Sequence, residues 1–224
     1  MTLVEFRRAY PAAVFTLSGG KPFTYRYYKN PNAKATLALL TGGIGLSDLF
    51  YKHFARFAKD FSVLTFDYQI QFADNGEFAD AVAELLCRLK EKVWLAGQSL
   101  GGVVAQVIAV RHPEVVEGLV LSNTCSLAKD MGDEAYSHLK KMMESQKKSK
   151  KLLSVLPFSL FKRMMKWAVL KKKTDGFTRR EKAIMEELCG AMLELLTKPY
   201  EYHMIDFLCD AESYRLSGRW HRRA

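Results

Sequence analysis

Cysteine is scarce in this chain of 224 residues, with four in all: Cys87, Cys125, Cys189 and Cys209. They stand far apart and form no Cys-x-x-Cys or Cys-x-x-His pair, which argues against a zinc site and a disulfide framework. Reduced, mostly buried thiols are expected, and these favour a cytoplasmic protein. Long apolar runs are missing as well. No stretch approaches the roughly 18 residues that mark a membrane-spanning helix. Residues 1–8 lack the apolar segment of a signal peptide. A soluble protein made inside the cell is therefore expected. There is no internal repeat and no low-complexity linker.

What remains is ordinary globular material, 49% hydrophobic and 26% charged. That excludes a disordered chain, a fibre and a disulfide miniprotein. The length allows one large domain or two small ones. It suffices to bury on the order of 70% of the unfolded surface. The net charge of +10 is unevenly spread. Residues 128–183 hold sixteen Lys and Arg against six Asp and Glu, and the rest of the chain balances. The excess lacks a nucleic-acid-binding motif, so no nucleic-acid partner is expected.

Two β-prone runs open the chain, 13–17 and 23–28, around a Ser18-Gly19-Gly20-Lys21-Pro22 turn. The rhythm then changes. An apolar strand over 35–40 ends in Thr41-Gly42-Gly43-Ile44-Gly45, and a helix pattern follows over 47–59. Strand 62–68, helix 78–89, strand 92–96, helix 103–111 and strand 116–122 come next. Strands alternating with helices predict a parallel sheet covered on both faces. After Ser126 the alternation stops. Residues 128–216 read as helices only: 133–144, then 157–172, a third from Thr178 with its Thr-Arg-Arg-Glu capping box, and a fourth after Pro199.

The chemistry is concentrated at Gly97-Gln98-Ser99-Leu100-Gly101-Gly102, between a strand and a helix. That is the setting of a nucleophile elbow, although a plain tight turn is the alternative. A sharp strand-to-helix reversal strains Ser99, and Gly97 and Gly101 leave room for the close approach. The serine oxygen then stands above the sheet at the helix N-terminus, where free N–H groups stabilise developing negative charge. The two donors of an oxyanion hole are expected from Leu100, after the serine, and from Gly43. A phosphate-cradling loop at residues 41–45 would call for Lys-Ser/Thr, and Leu46-Ser47 does not supply it.

On these residues the segment from about 22 to 127 resembles the N-terminal part of an α/β-hydrolase. Phe66-Asp67-Tyr68, His112-Pro113-Glu114 and Gly118-Leu119-Val120-Leu121-Ser122-Asn123-Thr124 extend the likeness, the last being similar to ester- and lactone-cleaving members. The resemblance implies an α/β fold, a mostly parallel sheet flanked by helices, with residues 1–127 as core and 128–216 as a helical cap. Residues 217–224 form a charged tail. It implies a serine hydrolase acting on a small-molecule ester, thioester or lactone, without cofactor or metal.

The family's chain order is Ser, then Asp or Glu, then His. No acid-ending strand or later strand–helix pair is found after Tyr214, which leaves either a shortened chain or a fragment. His53 reads as a surface or core residue and His112 as a helix C-cap. His138 lies in the basic cap and His221 in the charged tail. His203 and Asp206 are three apart on one helix, so they could share a face as base and acid. Asp206 and Asp210 otherwise read as solvated or paired with arginines. The alternative function is a catalytically silent binding protein of the same fold.

One cap segment is amphipathic. Leu160, Phe161, Met164, Met165 and Ala168 fall on one arc, with Lys162, Arg163 and Lys166 opposite. The arc reads as packing over the active site, and an anionic membrane surface or an acidic acyl substrate is the alternative partner. The sequence does not set the oligomeric state.

Overall fold

The computed structural model describes residues 1–127, 132–172 and 175–210. A six-stranded sheet runs β1 (Ala13–Thr16), β2 (Pro22–Tyr28), β4 (Ser62–Phe66), β3 (Thr36–Leu40), β5 (Val93–Gln98), β6 (Val116–Ser122) in spatial order. β1 and β2 pair antiparallel, and so do β2 and β4. From β4 to β6 every pairing is parallel. The expected mostly parallel α/β sheet is what forms.

Each face has its own helices. α3 (Asn75–Leu89) and α4 (Leu100–Arg111) cover one side over Ala38, Leu40, Leu64, Phe66, Val93 and Leu95. α4 is apolar all round because it is buried between α3 and the sheet. α1 (Leu3–Ala9) and α2 (Tyr51–Phe57) cover the other side through Phe6, Tyr51 and Phe54 on Leu39 and Val63. The sequence reading omitted α1, although Thr2 and Glu5 make a complete capping box.

Four further helices follow: α5 (Asp133–Val155), α6 (Phe158–Trp167), α7 (Arg179–Leu195) and α8 (Lys198–Cys209). α6 continues into a wider turn, Ala168–Lys172. α5 is longer than the expected 133–144, because lysine is a good helix former and the basic run 147–151 simply extends it. α7 opens at the expected Thr178 capping box. These helices meet the loops that follow the strands. Tyr200 donates to the Ile44 carbonyl, and Phe207 packs on Tyr68 and Phe78. The charged tail 217–224 lies outside the described residues.

The helix expected over 47–59 divides into a tight 3-10 turn, Ser47–Phe50, and α2. The strand expected to reach Tyr68 ends at Phe66, where pairing stops. The four cysteines are free thiols, but only Cys189 is fully buried and Cys87 is exposed, so the expected burial is too strong.

Candidate active site

β5 ends at Gln98 and α4 begins at Leu100, so Ser99 alone makes the reversal. Its backbone sits at φ +54° and ψ −120°, a conformation that costs an L-residue roughly 1–3 kcal/mol. The glycines make the turn sterically possible. A Cβ on Gly97 would lie 2.3 Å from the Gly101 carbonyl oxygen, and one on Gly101 only 2.1 Å from the Leu40 oxygen. Neighbouring strands hold the turn closed. The Ser99 N–H donates to the Ser122 carbonyl at 3.0 Å, and Thr124 Oγ1 donates to the Ser99 carbonyl at 2.7 Å.

Thr124 ends the Gly118–Thr124 run and begins the connection that follows β6. Gln106, buried inside apolar α4, donates to the Cys125 carbonyl and accepts from the Leu127 N–H. A lone glutamine in an apolar helix was the available signal. The second glycine of the pair, Gly102, faces Thr124 directly.

Ser99 lines a cleft of about 580 Å³ with Leu100, Cys125, His138, Met142 and Leu208. Its Oγ makes no hydrogen bond among the described residues. Burial pushes the Cys125 thiol up, so it is a neutral wall of the cleft. The Leu100 N–H is at the free end of α4, and neither it nor the Gly43 N–H donates to a backbone carbonyl among the described residues. Gly42 passes over the elbow, where a Cβ on it would be 3.4 Å from Ser99 Cβ. Gly43 itself is exposed and opens on an adjoining hollow of about 340 Å³, which shares Leu208 with the Ser99 cleft.

The loop carrying Gly43 is anchored along its length. The buried Tyr68 hydroxyl donates to Thr41 O at 2.7 Å, and the Tyr68 N–H to Gly45 O at 2.8 Å. Tyr200 reaches Ile44 O at 2.8 Å. Burial holds both phenols well above their usual titration range, so they remain donors. Ser47 N–H caps onto Asp67, and buried Asp48 pairs with Arg26 and Arg7.

The histidines fall in separate places. His112 caps α4 as expected and meets Asp80 at 2.7 Å. His53 lines a different, apolar cleft beyond Gly42 and Gln98. His203 lies against Phe207 and Tyr200, with its Nε2 buried and unpartnered. Burial depresses its pKa, with Asp206 opposing the shift. Asp206 is exposed, as expected, and is held by Lys150 at 2.5 and 2.6 Å, while Asp210 accepts from Asn75. Neither His203 nor Asp206 lines the Ser99 cleft. His138 does, brought there by α5, and sequence reading had no signal for it. His221 lies outside the described residues.

This strand–elbow–helix geometry on a mostly parallel sheet, under a helical layer, is that of the α/β-hydrolases, and the chain has the α/β-hydrolase fold. Solved structures agree. The chain superposes on wild-type Cfl2 from Burkholderia cenocepacia with a TM-score of 0.69 at 16% identity, covering 91% of this chain and 72% of that one. A hydrolase from Pseudomonas aeruginosa PA01 gives a TM-score of 0.64 at 18% identity, covering 92% and 72%. Among curated proteins, the chain is 29% identical over 115 residues to RutD of Agrobacterium fabrum, whose name presents it as a proposed carbamate hydrolase. That alignment covers 46% of this chain and 44% of RutD, so the match spans less than half of the relative's length. No family profile matches the chain.

Proposed function

We propose that this protein is a serine hydrolase acting on a carboxylic ester, thioester or lactone. The observation that carries the reading is the strained Ser99, which follows β5 with a free hydroxyl at the N-terminus of α4. Ser99 Oγ attacks the substrate carbonyl. The N–H groups of Leu100 and Gly43 hold the resulting oxyanion, each worth roughly 3–4 kcal/mol as judged by removal of such donors. His138, across the cleft, takes the serine proton and returns it to the leaving alcohol or thiol. Water then releases the acyl group by the reverse sequence. The curated relative's name supports carbonyl chemistry of this kind, since a carbamate offers a comparable acyl carbon. No cofactor enters any step.

Hydrolysis of p-nitrophenyl acetate and octanoate tests the reading. The wild-type chain turns over at least one of them, and Ser99→Ala lowers the rate at least about 100-fold. A folded sample that hydrolyses neither contradicts it. The second reading is then a ligand-binding protein of the same fold. It is favoured by one observation: among the described residues, no hydrogen bond joins a carboxylate to a histidine in the Ser99 cleft.

A further inference from the structure

The exposed side of α6 combines large apolar residues with basic ones and no acidic residue. Residues 145–174 carry ten Lys and Arg and no Asp or Glu, so the whole net charge of the chain is matched within thirty residues. The apolar arc read from the sequence does not all turn inward. Phe161 and Met165 do so, lining the hollow shared with Gly43. Leu160, Met164 and Trp167 point outward, 39%, 52% and 53% exposed. They follow one another at i, i+4 and i+7, and therefore form a continuous outer stripe. Arg163, expected opposite the apolar arc, instead lies among these outward side chains, and exposed Lys166 and Lys171 flank them. At the corner where α5 turns into α6, Leu152 and Val155 add further exposed apolar surface beside Lys151.

Water is a poor environment for three large apolar side chains in a row. Single exposed apolar residues are commonplace, but a contiguous stripe marks an interaction surface. Its chemistry selects among surfaces. A tryptophan with leucine and methionine favours the boundary between lipid headgroups and acyl chains. Arginine and lysine stems lie along apolar surface while their charged ends reach headgroup phosphates. The unbroken positive charge favours anionic lipid, which attracts clustered Lys and Arg.

We propose that the outer face of α6, with the end of α5, docks this protein on anionic membrane surfaces. The protein lies on the bilayer and does not cross it; no described helix is long and apolar enough to span a membrane. Docking through this stripe sets the inner side of α6, and the hollow beside Gly43, next to the lipid. This inference stands on α6 and the end of α5 and does not depend on Ser99 as a nucleophile.

Vesicle co-sedimentation of the full chain tests it. Phosphatidylcholine vesicles containing 30% phosphatidylglycerol should bind the wild type at least 10-fold better than phosphatidylcholine alone. Added salt should weaken that binding. The triple variant Leu160→Ser, Met164→Ser, Trp167→Ser should lose at least 10-fold in binding while keeping its circular dichroism spectrum. Because such a variant can misfold, Arg163→Gln with Lys166→Gln and Lys171→Gln serves as a second, surface-only test and should also weaken binding. No preference for anionic vesicles overturns the proposal. Binding that follows the charges but ignores the triple apolar variant also overturns docking through the stripe.

Discussion

Ser99 is one of three described non-glycine residues with positive φ, and its strain is testable. Replacing it with glycine, which adopts positive φ without penalty, should raise unfolding stability by roughly 1 kcal/mol in urea titration. Ser99→Ala keeps the strain and should leave stability nearly unchanged. Both variants should lose esterase activity, so a gain in stability confined to glycine separates strain from loss of the hydroxyl. Gly101→Ala should act in the opposite direction. Its methyl group would meet the Leu40 backbone oxygen at 2.1 Å, and backbone cannot yield as a side chain does. The expected cost is at the upper end of roughly 1–3 kcal/mol, read by the same titration. His138→Ala should lower the esterase rate by about 10²–10⁴-fold, the usual contribution of a positioned base. An unchanged rate would remove His138 from the proposed mechanism.

α8 ties the helical layer to the sheet. Asp210 accepts from the Asn75 N–H at 3.0 Å, and the Asn75 side chain donates to the Phe207 carbonyl at 2.9 Å. Asn75→Ala should therefore cost about 1–3 kcal/mol. His203 gives the same helix a pH dependence. Burial keeps its folded pKa below the ordinary value near 6.5, so the unfolded chain binds the proton first. Its contribution is complete above about pH 6.5 and is lost as pH falls through the lower folded pKa. His203→Phe should consequently show a smaller fall in melting temperature between pH 7.5 and pH 5.5 than the wild type. The elements themselves were mostly legible in sequence, because strand and helix periods in the first 127 residues alternate cleanly. Ser99, Gly97 and Gly101 were legible too, since their spacing is set by local backbone geometry. His138 was not. Its place in the Ser99 cleft depends on how α5 lies on the loops after β5 and β6, which periodicity does not encode. The outward stripe on α6 was hidden for the same reason: a helical wheel shows an apolar arc but not which part of it finds a neighbour.

Among the described residues, one side of the sheet is well covered and one margin is open. β6 ends the described sheet, and Val120 on it is 52% exposed. Trp94 packs over Gly118 on the same face and is itself 41% exposed. An apolar edge of this kind invites pairing between chains. Val120→Lys should lower concentration-dependent self-association in sedimentation velocity without lowering the melting temperature. The two proposed surfaces are spatially distinct: Ser99 faces the cleft under α5 and α8, and the outward apolar stripe lies on α6. The central claim concerns the first. The most direct measurement is labelling of the folded, monodisperse chain with a fluorophosphonate probe, followed by mass spectrometry of the modified peptide. The account predicts one adduct, on Ser99, absent from Ser99→Ala. No adduct, or an adduct that persists in Ser99→Ala, would contradict it.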